Sequence, residues 1–193
     1  LAERFGDEKA VKIICESGFD GIDYSMFCMS DDNDFLNTPS YKEHIKEVRK
    51  LAESYSVTFE QSHAPFPPMR ENDADYTAKT MDKVKRALEI SGMLDAKICV
   101  VHPCVFKENQ FEKNMELYHY LEPYAKDSGV KIALENHEYR PEMTLGNTHS
   151  NERNPLGAFI AAGEKTAGEM VWHIYEKTNL LGIFCGSFLG LAC

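Results

Sequence analysis

The sequence predicts an α/β fold, a partial (β/α)8 barrel on a parallel sheet, and three observations carry that expectation. Amphipathic helical segments alternate with short apolar or β-branched runs, making four helix-then-strand units between Asp7 and Asn136. Hairpins cannot join parallel neighbours, so such alternation is the pattern of crossover helices laid on a parallel sheet. No GxGxxG or P-loop follows any of the runs, which disfavours an open nucleotide-binding sheet and leaves the closed barrel ahead. Finally, three runs end in a residue able to bind a metal or move a proton: Gln61-Ser62-His63-Ala64-Pro65, Val100-Val101-His102-Pro103 and Ile132-Ala133-Leu134-Glu135-Asn136. Ligands of α/β folds gather at the carboxyl ends of the strands, so His63, His102 and Glu135 are expected to converge on one rim.

The elements follow in order. Asp7 is placed to cap a helix whose apolar positions Val11, Ile14 and Cys15 recur at helical spacing, with Gly18 as its left-handed stop. Residues 19–27 read as a strand centred on Gly21-Ile22-Asp23-Tyr24, and the acidic Ser30-Asp31-Asp32-Asn33-Asp34 as a solvated loop. That loop lacks the spacing and closing Glu of an EF-hand. Thr38-Pro39 is a helix start, and Tyr41, Ile45, Val48, Ala52 and Tyr55 form its apolar face, leading into a strand over 57–63. The next helix aligns Thr77, Met81, Val84, Leu88 and Ser91 before a strand over 97–102. Another aligns Phe111, Met115, Tyr118 and Ala125, stops near Gly129, and precedes a strand over 130–136.

Composition narrows the function classes. The chain has 193 residues, 43% hydrophobic and 27% charged, enough for one sizeable core in a single domain. Thirty-one acidic against 21 basic residues leave a net charge of −10, and no basic run is dense enough to neutralise successive phosphates, so nucleic acid is an unexpected partner. Six cysteines lie scattered without a CxxC pair, as in a cytoplasmic protein with reduced thiols, and Cys15 and Cys99 occupy positions suited to buried apolar residues. The longest apolar stretch, 180–193, is broken by Gly182, Gly186, Ser187 and Gly190 and is too short to span a bilayer, so no membrane association is expected.

The motifs resemble the xylose isomerase-like TIM barrels, which include sugar phosphate isomerases and epimerases and the endonuclease IV relatives. The resemblance rests on Gly18-Phe19-Asp20-Gly21-Ile22-Asp23, Ser62-His63-Ala64-Pro65, Val101-His102-Pro103 and Ala133-Leu134-Glu135-Asn136, and covers about residues 1–140. It implies a divalent metal, Mn²⁺, Mg²⁺ or Zn²⁺, at the barrel mouth. It also implies that Glu135 is a metal ligand and an acid/base carboxylate, while His63 and His102 line the substrate site or bind metal. Asp23, on the earlier strand, is a further candidate for substrate contact. The residue types suit the chemistry, because moving a proton between adjacent carbons of a ketose needs a base and a Lewis acid to stabilise the enediolate oxygen. The expected partner is thus a sugar or sugar phosphate, with self-association into a homo-oligomer compatible.

The remainder departs from that pattern. Thr166-Ala167-Gly168-Glu169 is a capping box before Met170, Val171, Ile174 and Tyr175, and residues 180–185 read as a sixth strand of the barrel. Where relatives carry metal-binding Asp and His after that strand, this chain has Gly186-Ser187-Phe188-Leu189. His149 falls in a polar loop and His173 in the expected helix, and neither is expected to be a ligand. About five to six βα units are expected, with the first and last strands missing, residues 141–193 forming a divergent tail. These 193 residues are therefore expected to bind Mn²⁺ or Zn²⁺ weakly and to turn over no ketose on their own. An inactive barrel fragment or sugar-binding remnant, and an endonuclease IV-like abasic-site nuclease, are the alternatives to a sugar isomerase or epimerase.

Overall fold

In a computed structural model of the chain, residues 2–134 and 181–182 are described. Five parallel strands stand side by side in sequential order: β1 (Gly21–Ser25), β2 (Thr58–His63), β3 (Ile98–Val100), β4 (Lys131–Leu134) and β5 (Leu181–Gly182). Open doubly wound sheets reverse their strand order at a switch point, whereas a barrel wall adds each strand beside the last. The order is therefore that of part of a (β/α)8 barrel. The strand expected over 180–185 coincides with β5, which pairs with β4 through Ala133↔Leu181 and Leu134↔Gly182.

Helices α1 (Ala2–Phe5) and α2 (Asp7–Glu16) precede β1, and α3 (Tyr41–Ser54), α4 (Ala74–Met93) and α5 (Gln110–Asp127) form the crossovers. The expected α3 face is buried at Tyr41, Ile45, Val48 and Ala52, and that of α4 at Met81, Val84 and Leu88. These side chains share one core with Ile22, Tyr24, Phe59, Cys99 and Ile132 from the strands. Gly18 and Gly129 both have positive φ, 83° and 69°, and end the turns after α2 and α5 as the sequence led one to expect.

Four local features differ from the sequence reading. Asp7 is not the cap of α2: Gly6 holds that position, and the Asp7 carboxylate instead accepts from the Tyr24 hydroxyl at 2.5 Å and meets His44 Nε2 at 2.9 Å. The first helix is thereby tied to β1 and α3. Helix α3 begins at Tyr41 rather than at Thr38-Pro39, because the Thr38 hydroxyl donates to Phe35 O and closes a preceding 3-10 turn, Phe35–Asn37. β1 stops at Ser25, and Phe27–Ser30 forms another 3-10 turn. The buried stripe of α5 is Asn114, Leu117, Tyr118, Leu121 and Ala125, with Phe111 exposed, so the helix is rotated from the expected phase.

The pairing of β1 with β2 contains a bulge. Ile22 faces Phe59 but Asp23 faces Gln61, so Glu60 is an extra residue on β2. Phe59 and Ser62, three apart, can then both be buried on the helix-covered side, while Gln61 and His63 share the face of Asp23.

Candidate functional site

The site is built at the carboxyl ends of β2 and β3. His63 is the last residue of β2, pairing with Ser25 on one side and Val100 on the other, and His102 lies two residues beyond the end of β3. Backbone bonds continue past the strands and hold both segments: Met26 N donates to His63 O at 2.9 Å, Ala64 N to Val100 O at 2.9 Å and Val101 N to Ala133 O at 3.0 Å. The two imidazoles meet with centroids 5.7 Å apart at 33°.

Asp23 organises the first of them. Its Oδ1 lies 2.9 Å from His63 Nδ1, and its Oδ2 accepts from Gln61 Nε2 at 2.8 Å. Burial raises the Asp23 pKa, but the bonds from His63 and Gln61 outweigh it and hold the carboxyl below its ordinary value. An ionised Asp23 takes the Nδ1 proton as a hydrogen bond, fixing ring orientation and assigning ligand chemistry at this ring to Nε2. Asp23, placed in the sequence reading as a substrate contact, is thus found supporting His63.

His102 is buried. The carbonyl before it, Val101 O, accepts from the buried Tyr118 hydroxyl of α5 at 3.2 Å. Behind His63, the buried Ser62 and Ser91 hydroxyls lie 2.6 Å apart and fasten β2 to α4. Phenylalanines complete the rim: Phe27 contacts His63 and His102 at centroid distances of 5.7 and 5.9 Å, and Phe66 contacts His102 at 5.1 Å.

Glu135 lies outside the described residues, as do His149 and His173. Two of the three expected rim residues are therefore brought together, and the third is not described. Among the described residues, no group of three or more His, Cys, Asp and Glu is arranged to hold a metal ion. The donors at hand are two imidazoles and a carboxylate with both oxygens engaged, so these residues do not by themselves fit a divalent ion. The acidic loop has structural work: Asp31 accepts from Asn33, Asp34 caps the 3-10 turn at Leu36 N, and Asp32 pairs with Lys83 at 2.6 Å. Cys15, Cys28, Cys99 and Cys104 are free thiols. No helix among the described residues is long and apolar enough to cross a membrane.

Gln61, Phe27 and Phe66 are site residues that the sequence motifs do not single out. Gln61 precedes His63 by two, the period that puts both on one strand face, a signal available beforehand. Phe27 falls at the end of the strand expected over 19–27, and Phe66 lies among Pro65, Pro67 and Pro68, where no periodicity marks it.

The chain matches a family model described as xylose isomerase-like TIM barrel over residues 11–154. Similar solved structures include a D-tagatose 3-epimerase-like protein (24% identity, TM-score 0.54, 67% of this chain and 49% of that one). A D-psicose 3-epimerase determined in the presence of D-fructose is 16% identical, with a TM-score of 0.51 over 66% of this chain and 45% of that one. A xylose isomerase-like TIM barrel protein from Mycobacterium smegmatis in complex with magnesium is 16% identical, with a TM-score of 0.50 over 68% and 46%. At these identities the likeness is one of fold, and the chain spans about half the length of these structures. No curated protein sequence matches.

Proposed function

This chain belongs to the xylose isomerase-like TIM barrel family, and from that premise we propose that it is a protein of the sugar isomerase or epimerase type, acting by proton transfer at a ketose carbon. The observation that carries this reading is the His63 and His102 pair at adjacent strand ends, with one ring oriented by Asp23. In the proposed roles, Glu135 is the base that removes the proton beside the carbonyl, and the imidazoles hydrogen-bond to sugar hydroxyls. A divalent ion, when bound, would supply Lewis-acid stabilisation of the enediolate oxygen, with Glu135, His63 and His102 as its proposed ligands. The described residues do not by themselves complete its site.

The test is deuterium wash-in. A single carboxylate can remove a proton and return one to the same face, so exchange does not require a second base, whereas inversion does. The chain, incubated with D-fructose and Mn²⁺ in D₂O, is expected to incorporate deuterium beside the carbonyl without inversion, and Glu135→Gln is expected to abolish incorporation. Absence of exchange together with nicking of abasic DNA would replace the reading with the endonuclease alternative.

A further inference from the structure

The rim carries more apolar surface than a purely polar sugar site needs. Phe27 enters from the 3-10 turn after β1 and touches both imidazoles, and Phe66 enters from the segment after β2 and touches His102. Phe27 meets His63 and Phe66 meets His102 edge to face, at interplanar angles of 70° and 64°. Such contacts occupy an edge or one face of a ring, and Phe27 and Phe66 remain 41% and 36% exposed. The wall behind Phe27 is fixed: Met29 and Leu36 are buried, and Lys83 and Arg86 of α4 donate to the carbonyls of Ser30 and Leu36 at 3.1 and 3.2 Å. Two aromatic side chains thus flank the histidine pair, one of them on an anchored turn. Beside them stands the carboxylate of Asp23, engaged by His63 and Gln61.

We infer that Phe27 and Phe66 form a specificity platform for an unphosphorylated sugar, whose C–H face packs on the phenyl rings while its hydroxyls reach the imidazoles. Aromatic rings reward an apolar ligand face, and the hydroxyl-bearing edge is left for polar partners. A phosphate here would bring negative charge toward Asp23, which opposes it. The inference rests on the sugar reading above and narrows it from sugar or sugar phosphate to the neutral class.

The experiment is a titration of the whole chain with D-fructose and with D-fructose 6-phosphate, followed through the His63 and His102 Hε1 resonances. Phe27→Leu and Phe66→Leu keep apolar volume and remove the ring; Phe27→Trp keeps a ring. D-Fructose is expected to shift both resonances and to bind more tightly than its phosphate. Each Leu variant is expected to weaken fructose binding roughly tenfold, with Phe27→Trp retaining it. Asp23→Asn is expected to narrow the gap between the two ligands. Equal or tighter binding of the phosphate, or unchanged fructose affinity in both Leu variants, overturns the platform while leaving the sugar reading in place. If no sugar moves either histidine resonance in the unaltered chain, the sugar reading falls and the platform with it.

Discussion

The hydroxyl pair behind His63 makes a quantitative test of how the site is held. Ser62 and Ser91 are fully buried, their oxygens lie 2.6 Å apart, and Ser91 also donates to Ala87 O at 2.6 Å. With that proton committed, the pair is bridged by the Ser62 proton, which also has Ile98 O within reach at 3.3 Å. Ser91→Ala therefore removes two good bonds and sends Ser62 to a longer one, a loss of about 1–2 kcal/mol. Ser62→Ala leaves the Ser91–Ala87 bond intact and is expected to cost about 0.5–1 kcal/mol. In the double variant the shared bond is lost only once, so its cost should fall short of the sum by about 0.5–1 kcal/mol. Equilibrium urea unfolding of the four proteins, at constant m, measures this. Additivity within about 0.3 kcal/mol would refute the pairing, and an unmoved His63 resonance in Ser91→Ala would refute its role in placing the histidine.

Two further outcomes are expected. Because the Asp23 carboxyl lies below its ordinary pKa in the fold, its contribution to stability is full above the unfolded-state value and is lost as pH falls through the folded one. Asp23→Asn should flatten the acid limb of a stability profile measured by thermal melting, by a modest amount because the side chain is 43% exposed. Gly92→Ala should destabilise, since its Cβ would stand 2.4 Å from the Ser128 carbonyl oxygen; the clash of about 1–3 kcal/mol exceeds the roughly 1 kcal/mol gained in helix propensity. Gly21→Ala meets Glu60 Cγ at 2.5 Å, and that exposed, flexible side chain can turn away, so urea unfolding should find it the milder change.

What was legible in the sequence was whatever apolar spacing encodes. The faces of α3 and α4 could be read because Ile45, Val48, Val84 and Leu88 are all apolar and all buried. The face of α5 is legible only in part: Tyr118 and Ala125 are buried as their spacing predicts, but the stripe also includes Asn114, buried with its carboxamide bound to the Cys104 N–H and C=O. A polar residue satisfied by distant backbone leaves no mark in hydrophobic periodicity. Asp7 misled for a similar reason: an acidic residue at a helix start suits a cap, and only packing reveals Tyr24 and His44 as its partners. His63 and His102 stand out because strand ends are where ligands gather, but that Asp23 meets His63 depends on strand register, which no local pattern states.

The extra residue at Glu60 sets that register, and its consequence is one of parity. The bulge absorbs one residue, so downstream of position 60 the alternation of β2 stays in step with β1: Gln61 with Asp23, Ser62 with Tyr24 and His63 with Ser25. Removing Glu60 would place Gln61 directly after Phe59 in a regular ladder, with Ser62 still opposite Tyr24 toward α4 and His63 still opposite Ser25 toward the rim. A sequence one residue shorter here can therefore keep this histidine at this rim, whereas a second deletion has no bulge left to absorb it and would exchange the places of His63 and Ser62. Deletion of Glu60 should accordingly spare the site, and deletion of one further residue from β2 should silence it.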